Sequence, residues 1–327
     1  MALGGRPSRP DRSCPTQTEH FERGVAFTSG HPSLDSVLGR DRCPARFSAQ
    51  RGHERASLAV MPLVQITIDP IIAQIGPVQL GWHGIFSMLA LVAGVWIGLW
   101  RAKQLGIDVD RMASGVGWAI AGAVVGARLF HVLDHVPYYA QHPLEILAIW
   151  QGGIAVYGGF VGGVVTGAFV AWKMGLPVWR CLDAAAVGML VGQAIGRIGC
   201  FINGDAWGAP TGCPCGVVYW HEHALLPPEL IGVPTHPYPL YEIVAVAGLL
   251  ALLWAMRGRH DRPGTAFLVT TIGYGLVRFG LSFVRQESVI VLGLQEAQII
   301  AVLTSVVALA ILAARLLLSR SPVPAAR

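Results

Sequence analysis

The sequence predicts an all-α integral membrane protein: seven transmembrane helices, with a small extracytoplasmic cap between the fourth and the fifth. Three observations lead there. The 327 residues are 53% hydrophobic and only 13% charged, where a soluble domain carries about 25% charge, and the mean hydropathy is +0.53. Apolar runs recur near 79–100, 112–133, 146–172, 181–200, 240–256, 265–284 and 292–318, most of them near the ~20 residues that a helix needs to cross a bilayer. The basic residues between those runs alternate from one connection to the next.

Residues 1–60 precede the first run and differ from the rest in kind. They hold nine of the 24 Lys and Arg residues, contain no lysine, and show neither helix nor strand periodicity. With no apolar h-region they are not a secretory signal. They are read as a disordered leader, with Met61 as an alternative start, and 61–327 as the membrane domain.

The spans then take an orientation. Arg101, Lys103 and Arg111 lie between spans one and two. Lys173 and Arg180 lie between three and four, Arg257, Arg259 and Arg262 between five and six, and Arg315, Arg320 and Arg327 at the end. The remaining connections hold only Arg285, so the bias is eleven to one. By the positive-inside rule the segment before span one is outside and the C-terminus is cytoplasmic. Gly115, Ala119, Gly122 and Gly126 in span two and Gly159, Gly163 and Gly167 in span three form small-residue ladders for close helix packing. The connection 201–239 is long for a structureless loop and is read as the cap.

Against this background a few polar residues stand out. Span four ends GQAIGRIGCFINGDAWG (192–208), with Arg197 still inside the apolar run. An arginine at mid-bilayer costs about 2.5–3.5 kcal/mol on insertion scales, so it needs a reason. A snorkelling side chain at a helix end would be one. Yet Arg128, Arg197 and Arg278 all fall in the outer halves of spans two, four and six, where the positive-inside bias makes arginine unexpected. His83, Tyr157, Tyr241 and Glu242 enter spans one, three and five at the same depth, Tyr274 and Arg278 share a helix face, and so do Arg128 and His131. Guanidinium groups fork onto phosphate or carboxylate, so the cluster suits an anionic lipid head group. The net charge of +5 follows the membrane pattern and indicates no nucleic-acid partner. GxSxG, HExxH and P-loop motifs are absent from the sequence.

GRIGCFINGDAWG resembles the signature GRxGNFxNxExxG of the phosphatidylglycerol:prolipoprotein diacylglyceryl transferases. DPIIAQIGPVQLGWHG, WQGGIAVYGG, HPYPLYE (236–242) and IGYGLVRFGLSFVRQ follow in the family's order, so that the likeness covers nearly all of 66–310. The resemblance implies an inner-membrane enzyme whose site faces the outer leaflet. Its substrates would be phosphatidylglycerol and prolipoprotein signal peptides with a lipobox cysteine, which becomes a thioether to diacylglycerol as glycerol phosphate leaves. Carried over by position, Arg197, Arg278, Tyr157 and Tyr274 are the catalytic candidates. Arg197, Asn203, Asp205, Gly208, Arg128 and His83 are those for binding phosphatidylglycerol, with no cofactor and no metal implied.

The chain also departs from the pattern at functional positions. Tyr157 stands where many members have a histidine implicated in catalysis, Cys200 replaces the signature asparagine, and Asp205 its glutamate. His83 stands where a tyrosine is usual, Ser282 replaces a glutamate, and Pro239 a glutamine. Tyr157 is expected to position substrate, or to act as a base only if an arginine lowers its pKa, with His83 and His131 as alternatives. Asp205 and Asn203 are expected to hold the turn and orient Arg197. A non-catalytic lipid-binding member of the same fold and, further off, a transporter are the competing readings. Cys200, Cys213 and Cys215 allow a 200–213 or 200–215 disulfide on the outer side. Cys213, Cys215, His221 and His223 form a CxC…HxH group of non-standard spacing, against which no metal is the favoured reading.

Overall fold

The computed structural model describes residues 64–76, 78–149, 152–258, 262–285, 289–291 and 293–318. The leader 1–60, Met61, Arg259, Arg320 and Arg327 lie outside the described residues. Seven long helices carry the chain: α1 Trp82–Gln104, α2 Val109–Asp134, α3 Val156–Lys173, α4 Val178–Asn203, α5 Tyr238–Ala255, α6 Thr265–Ser282 and α7 Glu296–Leu318. Six of them, all but α3, are long and apolar enough to cross a membrane, and the chain is a multi-pass membrane protein.

Span three departs from expectation. The apolar run begins at 146, but Pro143–Leu147 forms a short 3-10 turn, and Gly152 and Gly153 take φ of 90° and 72°. Such left-handed backbone stops a helix and is open to glycine without strain. α3 therefore starts only at Val156, with 18 residues rich in glycine.

The fold is mostly helical but not all-α. Strand β1 (Val64–Ile66) pairs in parallel with β4 (Val217–Tyr219), in the register Val64↔Val217 and Ile66↔Tyr219. β2 (Ile71–Ile75) and β3 (Val78–Gly81) form an antiparallel hairpin, and β5 (Val289–Val291) pairs with β6 (Leu294–Gln295). The β1–β4 pair ties the segment before α1 to the long connection after α4. Ile66, Val217, Tyr219, Ala224 and Leu226 bury their side chains together there, so the connection 204–237 is a folded lobe with its own core.

Helix packing follows the small residues. Gly122 and Gly126 of α2 lie against Gly158, Gly162 and Thr166 of α3, so closely that a Cβ on any of these glycines would collide with the partner helix. α1 and α4 also meet through Gly94, Gly98, Gly188 and Gly192, where a Cβ on Gly188 or Gly192 would strike the α1 backbone, a contact outside the ladders read from spans two and three. Leu190, Val246 and Leu249, with Tyr274 and Val277, join α4, α5 and α6. Asp183 of α4 is buried, and its carboxylate accepts from the N–H groups of Gly264 (2.6 Å) and Phe267 (2.9 Å). It thus caps the N-terminus of α6 from a neighbouring helix.

Candidate active site

The site is assembled where five helix ends and one turn converge. α4 is helical to Asn203 and stops because Gly204 takes φ of 72°, a left-handed C-cap. Its last turns present Gln193, Arg197 and Cys200, and the turn beyond presents Asp205. α5 offers Tyr238 and Glu242, and α6 offers Tyr274 and Arg278, each pair four residues apart and so on one face. Tyr157 starts α3 and His83 starts α1.

Glu242 is the hub. It is 1% exposed, and its Oε2 lies 2.8 Å from Nε of Arg197, an ion pair in which the N–H does not point along the line to the oxygen. Its Oε1 accepts from Gln193 Nε2 (2.7 Å) and from the Tyr274 hydroxyl (2.6 Å). A buried carboxylate is tolerated only when paired and hydrogen-bonded, and these three partners supply both. Nη1 of Arg197 lies 3.4 Å from the Cys200 sulfur, and the guanidinium also reaches the Tyr274 hydroxyl.

A second group adjoins the first. Arg278 donates from Nε to the Tyr157 hydroxyl (3.2 Å) and from Nη1 to the Tyr238 hydroxyl. The Tyr238 ring is fully buried, and three guanidinium carbons stand near it: Arg197 at 5.9 Å, Arg278 at 5.6 Å and Arg285 at 5.4 Å from the centroid. A phenyl quadrupole attracts cations, so one ring helps hold three positive groups around one place.

On the other side of Arg197, Nδ1 of His83 lies 3.0 Å from Oδ2 of Asp205 and 3.7 Å from the Cys200 sulfur. Three of the six residues that differ from the family pattern, His83, Cys200 and Asp205, are thus neighbours around one imidazole. Asp205 was expected to orient Arg197, but its carboxylate is on His83, and Glu242 holds Arg197 instead. Asn203 is buried with its Oδ1 unpartnered among the described residues, and its carbonyl accepts from the N–H of Leu225 (3.0 Å).

The structure brings Arg197, Arg278, Tyr157 and Tyr274 into one network. Arg128 stands apart from it. Its guanidinium donates to the carbonyls of Glu145, Ile146 (2.9 Å), Gly152 (2.8 Å) and Gly153 (2.8 Å), and it lies over the Tyr139 ring, tying down the connection before α3. Gly208 lies against the His236 and Val284 carbonyls, where a Cβ would not fit. Gln193, Tyr238 and Arg285 are absent from the candidates read from the sequence, and Glu242 is placed there at the depth of the arginines without a role. Glu242 had the clearest signal, an ionisable residue near the start of an apolar helix.

A cavity of about 660 Å³ runs from this polar end along the helices. His83, Ser87, Gln193, Arg197 and Cys200 are its polar lining, and the rest is apolar, down to Met112, Met174 and Cys181. It lies between the α1/α4 pair and the α2/α3 pair. Exposed Leu91, Ile120, Val156 and Phe160 stand along its edge, so it opens to the outside of the bundle.

Two donor groups could hold a cation: His83, Cys200 and Asp205, and separately Asp69, His221 and His223. Arg197 beside Cys200 disfavours a cation at the first. At the second, His223 Nδ1 is 3.1 Å from Asp69 Oδ1, and the N–H of Ile71 holds the Asp69 carboxyl below its ordinary pKa. His221 and His223 face Asp69, and Cys213 and Cys215 form a disulfide with each other, so the CxC…HxH group is not assembled. That bridge also replaces the 200–213 and 200–215 pairings considered from the sequence and leaves Cys200 a free, buried thiol.

Comparison with known proteins bears on the same stretch. The family model for prolipoprotein diacylglyceryl transferase matches residues 70–314. Among curated proteins, the phosphatidylglycerol--prolipoprotein diacylglyceryl transferase of Thermosynechococcus vestitus is 35% identical over 69% of this chain and 85% of its own. That of Geobacillus kaustophilus is 34% identical over 75% and 91%, and that of Nitrosomonas europaea 36% over 68% and 80%. The match takes in the helices, the Arg197 turn and the Tyr274–Arg278 face together, and the chain belongs to the prolipoprotein diacylglyceryl transferase family.

Proposed function

We propose that this chain transfers the diacylglyceryl group of phosphatidylglycerol to the lipobox cysteine thiol of prolipoproteins, forming a thioether and releasing glycerol phosphate, in the first step of bacterial lipoprotein maturation. The observation that carries the reading is the cavity, which has the Arg197 guanidinium at its polar end and a mostly apolar wall beyond it. An anionic head group with acyl chains has that same division of polarity. Arg197 takes the phosphate through the part of its fork that Glu242 leaves open, with Arg278 beside it.

In the reaction the bond between the diacylglycerol carbon and the phosphate oxygen breaks, and negative charge grows on the departing phosphate. Guanidinium groups already fixed by Glu242, Tyr238 and Tyr157 stabilise that charge more than the ground state, which lowers the barrier. The apolar wall holds the acyl chains and keeps the reacting carbon in register with the arginines.

The membrane arrangement belongs to the same reading. α3 is the seventh span, the lobe 204–237 is an extracytoplasmic cap, and the protein sits in the cytoplasmic (inner) membrane with its C-terminus inside. The alternation of basic residues and the position of the arginines near the helix ends at the lobe support it. Residues 1–60 stand as a leader outside the transferase domain.

The test is glycerol phosphate release from phosphatidylglycerol by protein in micelles, with and without a lipobox peptide. Peptide-dependent release is the expected result. Phosphatidylglycerol binding with no release would leave a lipid-binding protein of the same fold.

A further inference from the structure

We propose that His83, held by Asp205, is the base that takes the proton from the acceptor thiol. The inference rests on the transferase reading and assigns a step which that reading leaves open. A cysteine thiol, with a pKa of about 8.5, is mostly protonated at neutral pH and must lose its proton to attack.

Of the polar groups that line the site, few can accept a proton. Glu242 is buried, and both its oxygens are engaged, by Arg197 on one side and by Gln193 and Tyr274 on the other. The Tyr274 hydroxyl is spent on Glu242. The Tyr157 hydroxyl already accepts from Arg278, and Tyr157 is not among the described residues lining the cavity. His131 packs against His135 and Tyr139, on the segment that Arg128 ties down, and does not line the cavity either.

His83 is better placed. It lines the cavity beside Arg197, and its side chain is 42% exposed, so that a substrate can reach it. Asp205 Oδ2 lies 3.0 Å from Nδ1, which keeps the ring proton on Nδ1 and leaves Nε2 as the acceptor. An aspartate behind a histidine steadies both the tautomer and the cation that forms. The charged and titratable neighbours that complete its surroundings are Cys200, 3.7 Å from Nδ1, and Arg197, 3.4 Å from that sulfur.

The step balances. The thiol proton passes to His83 Nε2, sulfur forms its bond to the diacylglycerol carbon, and the carbon–oxygen bond breaks with its electron pair left on the phosphate. The proton then leaves His83 for the phosphate dianion or for water, and the neutral imidazole is restored.

The experiment compares two acceptor peptides, one with the lipobox cysteine and one with selenocysteine in its place, whose selenol is ionised at neutral pH and needs no base. His83→Gln should lower kcat with the cysteine peptide by about 10²–10⁴-fold. With the selenocysteine peptide it should lose less than about tenfold. Asp205→Asn should show a smaller deficit with the same selective rescue, and it keeps the test open if His83→Gln folds poorly. Equal loss with both peptides would overturn the assignment and leave His83 a positioning residue. Near wild-type activity of His83→Gln would overturn it too, as would selective selenocysteine rescue in Tyr157→Phe but not in His83→Gln. Failure of the wild-type protein to release glycerol phosphate with either peptide would instead overturn the transferase reading itself.

Discussion

At the scale of single residues, the two arginines that look alike in the sequence do different work. Arg197 is held at one end by Glu242 and open at the other, whereas Arg128 gives its donors to four carbonyls. Arg197→Lys should therefore lower glycerol phosphate release about 100-fold with little change in melting temperature, since the ammonium can still pair with Glu242 but has no second prong. Arg128→Lys should do the reverse, lowering the melting temperature of protein in micelles while most of the activity per folded molecule remains. Arg197, Arg278 and Tyr274 were legible because polar side chains in apolar helices cost free energy and announce themselves. Tyr238 was not, since a tyrosine near a helix end is ordinary and its ring acquires meaning only once three guanidinium groups surround it. The His83–Asp205 pair was invisible for another reason: it joins α1 to the turn after α4, and nothing in either local sequence encodes that meeting.

Helices and strands were legible to different degrees. The long apolar runs marked all seven helices, because an α-helix satisfies its backbone within one segment and writes its length into hydropathy. The start of α3 was misplaced since hydropathy does not register the positive φ of Gly152 and Gly153. The strands are two to five residues long and pair across the chain, which is too short for a period to emerge. Glycine position makes a sharper prediction. Gly126→Ala, whose Cβ would strike the α3 backbone at Gly158 and Gly162, should cost about 1–3 kcal/mol or more. Gly117→Ala, on the same helix with open space around it, should be neutral or gain about 0.5–1 kcal/mol. Thermal melting of the two variants in one detergent would compare them. In the lobe, burial pushes the Tyr219 phenol above its ordinary pKa of about 10. The neutral phenol donates to the Phe201 carbonyl at 2.8 Å. Its folded value being raised, its contribution is fully present below pH ~10 and is lost as pH rises toward the folded value. Melting temperature should thus fall above pH ~10, and less steeply in Tyr219→Phe.

For the whole molecule, the two helix pairs with a cavity between them are the defining arrangement. The pairs are each closed by glycine contacts, whereas the wall between them is left unfilled. Enlarging that wall at a distance from the arginines should act on the lipid tail and not on the chemistry. Val164→Phe should raise KM for long-chain phosphatidylglycerol several-fold and leave a short-chain analogue nearly unaffected, as steady-state assays with the two lipids would reveal. Equal effects on both would mean that the wall touches the head group.

The exposed edge of that cavity, at Leu91, Ile120, Val156 and Phe160, has a consequence for how the protein meets its lipid. A door in the flank of the bundle suits a molecule that never leaves the sheet it diffuses in. The encounter is two-dimensional, so its governing concentration is a mole fraction among neighbouring amphiphiles and not a molarity in water. Adding inert detergent at a constant amount of phosphatidylglycerol per millilitre should slow turnover in proportion to the dilution within the micelle. A rate that followed the bulk amount and ignored that fraction would mean that the lipid enters from the aqueous side.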